Sequence, residues 1–198
     1  MKNLIKAISM TCVLMAVGGE AGAAEWSTNE VHFQYGTLDN PFAGTDSPTK
    51  IVTLQHASGW KYGDNFFFID FIDDSDTDDF NDTDYYGEFY TNFSIGKLGK
   101  DMSIGMLRDV GIILGVNAAG DANTLKYLPG LRLSWDVLGF AFLNTDMTAY
   151  IDASKVDVAI EEEDSFMIDV NFARPFDIGS QSFSLEGHAE YILSLIHI

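Results

Sequence analysis

Two short stretches carry side chains that could do chemistry together. In "FFFIDF", residues 66–71, Phe66, Phe68 and Asp70 alternate with Phe67, Ile69 and Phe71. In "YYGEFYTN", residues 85–92, Tyr86, Glu88, Tyr90 and Asn92 alternate with Tyr85, Gly87, Phe89 and Thr91. Successive side chains of a strand point to opposite faces, so each set shares one face. Aromatic faces beside carboxylates and amides can stack a flat ring and accept hydrogen bonds from hydroxyls. In single-stranded nucleic-acid recognition, one stacked base is worth about 1–3 kcal/mol. Asp146 and Asp169 fall on the charged face of two later alternating runs. A dry core does not welcome an ionised carboxylate such as Asp70, so the face that carries it must be wet.

Other chemistries lack their residues. The sequence has no Gly-x-Ser-x-Gly elbow, no phosphate loop and no His-Glu-x-x-His. His56 and Ser58 share a strand face, but period-two neighbours do so by necessity, and surface polarity explains both. Asp74, Asp76 and Asp78 have the one-three-five spacing of a calcium loop. Asp79 stands where that loop needs glycine, and Tyr85 where it needs the bidentate Glu. No metal site, cofactor or catalytic residue is therefore assigned. A solvated external loop accounts for the acidic tract.

The compartment follows from the first residues. Lys2 and Lys6 precede an apolar stretch from Ala7 to Val17, and Ala21-Gly22-Ala23-Ala24 offers small residues for cleavage. Residues 1–24 read as a secretory signal peptide. Cys12, the one cysteine, lies inside it, so the exported chain has no disulfide and no thiol chemistry. With 11 Lys and Arg against 30 Asp and Glu, the net charge is −19. Such a chain cannot neutralise a phosphate backbone, which excludes nucleic acid as a partner. At 46% hydrophobic it is no disordered acidic tail.

Period two runs through the rest. Val31, Phe33 and Tyr35 alternate with polar residues, and Ile51–Ser58 and Trp60–Ile72 form two further runs. Alternation continues over 85–95, 110–116, 131–135, 141–151, 166–172 and 183–191. The chain reads as all-β, with about nine antiparallel strands. Short connections are expected at Ser58-Gly59, Gly96–Gly99, Val137–Gly139 and Arg174–Asp177. Long ones are expected at Thr37–Thr49, Asp73–Asp84, Ala118–Asn123 and Ala153–Asp164, in strict alternation with the short. One strand face carries Phe, Ile, Leu and Val. The other carries Asp70, Glu88, Asp109, Arg132, Asp136, Asp146, Asp169, Glu186 and Glu190. Trp60, Tyr85, Trp135, Tyr150 and Tyr191 lie near strand ends, as in an aromatic girdle. Together these features predict an up-and-down transmembrane β-barrel of the bacterial outer membrane, with the N-terminus on the periplasmic side, apolar side chains toward lipid and polar ones toward the lumen.

Three segments also carry a family resemblance. "HASGWKYGDNFFFIDF" (56–71), "YYGEFY" (85–90) and "YLPGLRLSWDVLGFAFLNTDMTAYID" (127–152) resemble the Tsx-like, nucleoside-specific channel-forming outer-membrane proteins. The likeness covers most of the chain after residue 24. It implies a monomeric twelve-stranded barrel that passes nucleosides passively, is no enzyme and uses no cofactor. It also implies service as a surface receptor for phages and colicins. Carboxylates along the lumen would repel nucleotides and admit neutral nucleosides. On this reading Phe66, Phe68, Asp70, Tyr86, Glu88, Tyr90, Asn92, Asp146 and Asp169 face the passage and meet its solute. A barrel of chiefly structural or receptor role is the alternative, and a barrel enzyme acting on lipid is the less favoured one. Against twelve expected strands the sequence offers about nine. Residues 25–192 then form a barrel incomplete at its C-terminal side, and "LSLIHI" at the end reads as a non-native tail over 193–198.

Overall fold

The computed structural model describes residues 8–12, 24–40, 45–75, 82–154 and 164–193. Those residues hold strands and turns and no helix. In chain order the strands are β1 (Ile8–Cys12), β2 (Ala24–Asn40), β3 (Thr45–Trp60), β4 (Gly63–Asp74) and β5 (Asp84–Ser94). They continue with β6 (Leu107–Ala119), β7 (Thr124–Trp135), β8 (Phe142–Asp152), β9 (Ser165–Ile178) and β10 (Gln181–Leu193). Each strand pairs antiparallel with the next, giving a single up-and-down sheet. The five-residue β1 lies within the segment read as an export signal and borders β2. The nine long strands, β2 to β10, curl into a half-barrel with β1 added at one edge, so that β1 and β10 are the outer strands with one neighbour each. The predicted fold class holds, as an incomplete barrel.

Even the shortest long strands have 11 residues, and a tilted membrane strand needs about 9–11. Their aromatic and β-branched residues suit a pleated surface. The two faces are sorted largely in reverse of a soluble protein, although Ile113, Leu128 and Met167 are also fully buried on the concave face. Ser47, Thr53, Glu88, Asn117, Arg132 and Asp146 are buried on the concave face. Phe33, Phe71, Phe89, Leu114, Leu131 and Phe166 are exposed on the convex one.

Several connections differ from expectation. The β3–β4 turn is Lys61-Tyr62, because Trp60 still pairs with Gly63. Ser58 and Gly59 stay in the ladder. A Cβ on Gly59 would come within 2.0 Å of the Trp26 indole, so this glycine admits a neighbour and breaks no strand. Residues 174–177 also remain in β9, and the chain reverses at Gly179-Ser180, where Gly179 has a φ of 65°. The β2–β3 ladder continues to Asn40 paired with Thr45, so most of the loop expected over Thr37–Thr49 is strand.

The strict alternation of short and long connections fails. The link expected to be tight after β5 runs from residue 95 to 106, with Gly99 and Gly105 at positive φ. The link expected to be long after β6 is four residues, Gly120–Asn123. Asp76, Asp78 and Asp79, and most of 153–164, lie outside the described residues. Leu193 is strand, paired with Phe166, one residue past the expected boundary, and 194–198 lie outside the described residues. Asp136, expected on the charged strand face, follows the last residue of β7 and is exposed in the connection to β8.

Candidate functional site

The concave wall of β4 and β5 brings seven of the nine predicted residues together. Register sets Phe66 opposite Tyr90, Phe68 opposite Glu88 and Asp70 opposite Tyr86. The Phe66 and Phe68 ring centroids are 6.2 Å apart, and Phe68 and Tyr86 are 5.8 Å apart. Both are tilted aromatic contacts of the favourable range. Asn92 stands opposite Asp64 and donates to its carboxylate at 2.8 Å. Asp70 accepts from Thr53 Oγ1 at 2.5 Å, and Thr53 accepts in turn from Gln34 Nε2 at 3.1 Å.

Glu88 is 7% exposed. It accepts from the Tyr86 hydroxyl and from Asn117 Nδ2, the latter at 3.2 Å. Tyr90 donates to Asn117 Oδ1 at 3.0 Å. Asn117, on β6, thus ties both tyrosines to the carboxylate. Gly115, opposite Tyr90, leaves the ring its place: a Cβ there would stand 2.5 Å from Tyr90 Cε1. The result is a fixed aromatic shelf, its hydroxyls and amides held at set positions.

Asp146 and Asp169 form a second group further round the curl. They are directly opposed on β8 and β9. Arg132 on β7 holds Asp146 with a two-pronged grip, Nε to Oδ1 and Nη2 to Oδ2, both at 2.7 Å. Its third nitrogen, Nη1, reaches Asp64 on β4 at 2.7 Å. Asn171 donates to Asp146 at 3.1 Å and to Asp169 Oδ2 at 2.8 Å. Beyond them on β10, Glu190 stands opposite Asp169, and His188 opposite Asn171. On β7 and β8, Lys126 pairs with Asp152 at 3.0 Å.

Arg132 and Glu190 were legible as members of the charged face, but their links to the predicted residues were not. Asn117, Lys126 and His188 escaped as site residues altogether. Strand parity could have found all three, since each shares a face with a residue already chosen. Tyr150 corrects an expectation in the other direction. It shares the concave face with Asp146 and Thr148, its ring 5.7 Å below the Lys126 ammonium, and so cannot join an outer girdle. Tyr85 and Tyr191 are exposed as a girdle requires. His56 faces away from the wall, with its ring stacked on Phe67 at 5.2 Å and Nδ1 2.8 Å from Asn29.

No family model, no curated protein and no solved structure matches this chain. Its site must therefore be judged on geometry. The shelf offers apolar ring faces beside fixed acceptors, which suits a flat solute with hydroxyl groups. Asp169, His188 and Glu190 are a separate cluster whose ligating atoms lie within 4.8 Å of one another.

Proposed function

We propose that this chain forms the wall of an outer-membrane β-barrel that passes nucleosides and similar small neutral solutes by diffusion. The observation that carries the reading is the inverted sorting of the two faces. Glu88, Asp146 and Asp169 are 7%, 3% and 8% exposed, whereas Phe71 and Phe89 are 50% and 42% exposed. A sheet in water would bury the phenylalanines. A sheet in lipid turns them outward and keeps its charges on a watered inner face. In lipid every backbone group must also find a partner, so the wall works only with its outer strands paired and the sheet closed.

The solute class rests on the shelf and on the resemblance to Tsx-like channels. Phe66, Phe68 and Tyr90 offer stacking faces, Asp70 accepts from sugar hydroxyls while Glu88 holds the tyrosine hydroxyl in place, and the surplus of carboxylates turns away phosphorylated relatives of the same solute. No part of this needs a nucleophile or a bound cofactor.

Planar-bilayer recording tests it. The protein reconstituted as a closed barrel gives small unitary currents that fall when adenosine or thymidine is added and do not fall with ribose alone. Unaltered current with either nucleoside would remove the nucleoside and leave a pore of other selectivity. Absence of any current would remove the channel.

A further inference from the structure

We propose that Asp169, His188 and Glu190 bind one first-row divalent cation, of the Zn2+ type, on the concave face between β9 and β10. The register places Asp169 directly opposite Glu190, with His188 two residues earlier on the same face of β10. Like charges directly opposed across a ladder destabilise it. The neighbouring carboxylate, Asp146, meets the same problem with Arg132, whose three nitrogens are used on Asp146 and Asp64. Asn171 gives Asp169 a neutral donor, and the one group in this cluster able to carry positive charge is the imidazole of His188. A cation supplies the missing positive charge.

The distances agree. His188 Nδ1 lies 3.7 Å from Asp169 Oδ1 and 3.7 Å from Glu190 Oε1. That is too long for hydrogen bonds. It is close to the separation of about 3.4 Å between two ligands of one tetrahedral ion whose bonds are about 2.0–2.2 Å. Asp169 is 8% exposed, and its Oδ1, the oxygen aimed at His188, is buried and accepts no hydrogen bond. Its Oδ2 is held by Asn171 at 2.8 Å, which orients the free oxygen into the cluster as outer partners of metal ligands do. A buried acceptor left open is costly, and a metal bond closes it.

The side chains of His188 and Glu190 are 54% and 28% exposed, so an ion can enter from the concave side. One imidazole with two carboxylates favours Zn2+ and its first-row neighbours over Mg2+ or Ca2+, which prefer oxygen alone. The fourth position remains for water or a passing solute. This site rests on the cluster itself and stands whatever the barrel conducts.

The test uses the whole chain, folded in detergent and stripped of metal. Titration with Zn2+ against a chromophoric chelator should show one equivalent bound, with Mg2+ unable to compete at a hundredfold excess. Asp169→Asn and His188→Ala should each weaken binding at least tenfold, and Asp121→Asn, on the β6–β7 turn, should leave it unchanged. X-ray absorption on the unmodified protein with Zn2+ bound should show one imidazole in the first shell, a readout that does not depend on how the variants fold. Binding that is unaffected by both substitutions, a first shell without imidazole, or no stoichiometric binding would overturn the site. None of these outcomes alters the nucleoside response of the current, so the two proposals fail separately.

Discussion

Arg132 on β7 donates to Asp64 on β4 at 2.7 Å, across the two strands between them. Adjacent strands lie about 4.8 Å apart in a sheet, so a flat sheet would put these residues about 14 Å apart. Curvature brings them within reach, and glycine clears the path. Gly111 is the register partner of Arg132, and a Cβ there would come within 2.0 Å of Asn92 Oδ1. The guanidinium thus acts as a tie across the concave face. It satisfies two carboxylates where water is partly excluded.

Removing that tie leaves Asp64 and Asp146 with amide donors but without their cation. Breaking a buried pair by deleting one partner costs about 3–5 kcal/mol, and Arg132→Ala is expected to fall in that range. Arg132→Lys should recover only part of the loss, because a single ammonium cannot reproduce the planar fork. Urea titration of the folded form, read by its gel mobility before and after heating, measures both. A midpoint unchanged in Arg132→Ala would show that the tie carries no stability.

The convex face makes a sharper distinction between water and lipid. Ile112 and Leu131 are opposed on β6 and β7, 48% and 47% exposed. In water, Ile112→Lys should shift stability by no more than about 0.5 kcal/mol, as ordinary surface changes do. In a bilayer the same change should cost about 2–4 kcal/mol near the midplane. Folding of both proteins into liposomes and into detergent, compared side by side, separates the two. Equal yields of Ile112→Lys and its parent in liposomes would argue against a lipid-facing surface.

Much of this was legible because period two is a rigid rule. Once Phe67, Ile69 and Phe71 were set outward, Phe66, Phe68 and Asp70 had to face the other way, and the structure agrees. Turn placement was less legible because glycine has two uses. At Gly179 it supplies a positive φ for a reversal. At Gly59 it makes room for the Trp26 side chain inside a ladder. A sequence shows the same letter in both places. The links among site residues were hidden for a different reason: Arg132 to Asp64 depends on curvature, and curvature is a property of the whole sheet.

Close approach at glycine also ranks three substitutions. A Cβ on Gly130 would meet the Met147 carbonyl oxygen at 2.1 Å, which is backbone and cannot turn aside. The ladder is already thin there, since the pairing between β7 and β8 skips from Tyr127 to Gly130 around Pro129, which has no N–H to give. On Gly111 and Gly115 the obstacles are the side chains of Asn92 and Tyr90. Gly111→Ala and Gly115→Ala should cost about 1–3 kcal/mol, the usual price of overpacking, and Gly130→Ala more than either. Gly115→Ala should also disturb the near-ultraviolet dichroism of Tyr90. An order in which Gly130→Ala is the mildest would show that the β7–β8 contact is looser than described.

The shelf itself is tested by Phe68 and Tyr90. Phe68 touches Phe66 and Tyr86 through its ring alone, so Phe68→Ala removes a stacking face and no hydrogen bond. Tyr90 supplies both a ring and the hydroxyl that holds Asn117. If one stacked base is worth about 1–3 kcal/mol, either truncation to Ala should lower apparent affinity roughly 5- to 150-fold. Tyr90→Phe keeps the ring and frees Asn117 Oδ1, so it should bind nearly as well if stacking dominates. It should fail like Tyr90→Ala if Asn117 must be held in place. Uptake of labelled nucleoside at low external concentration reads the effect, with heat-dependent gel mobility confirming that each variant is folded. Unchanged uptake in folded Phe68→Ala and Tyr90→Ala would remove the shelf as a binding site and leave these side chains as filling for a watered lumen.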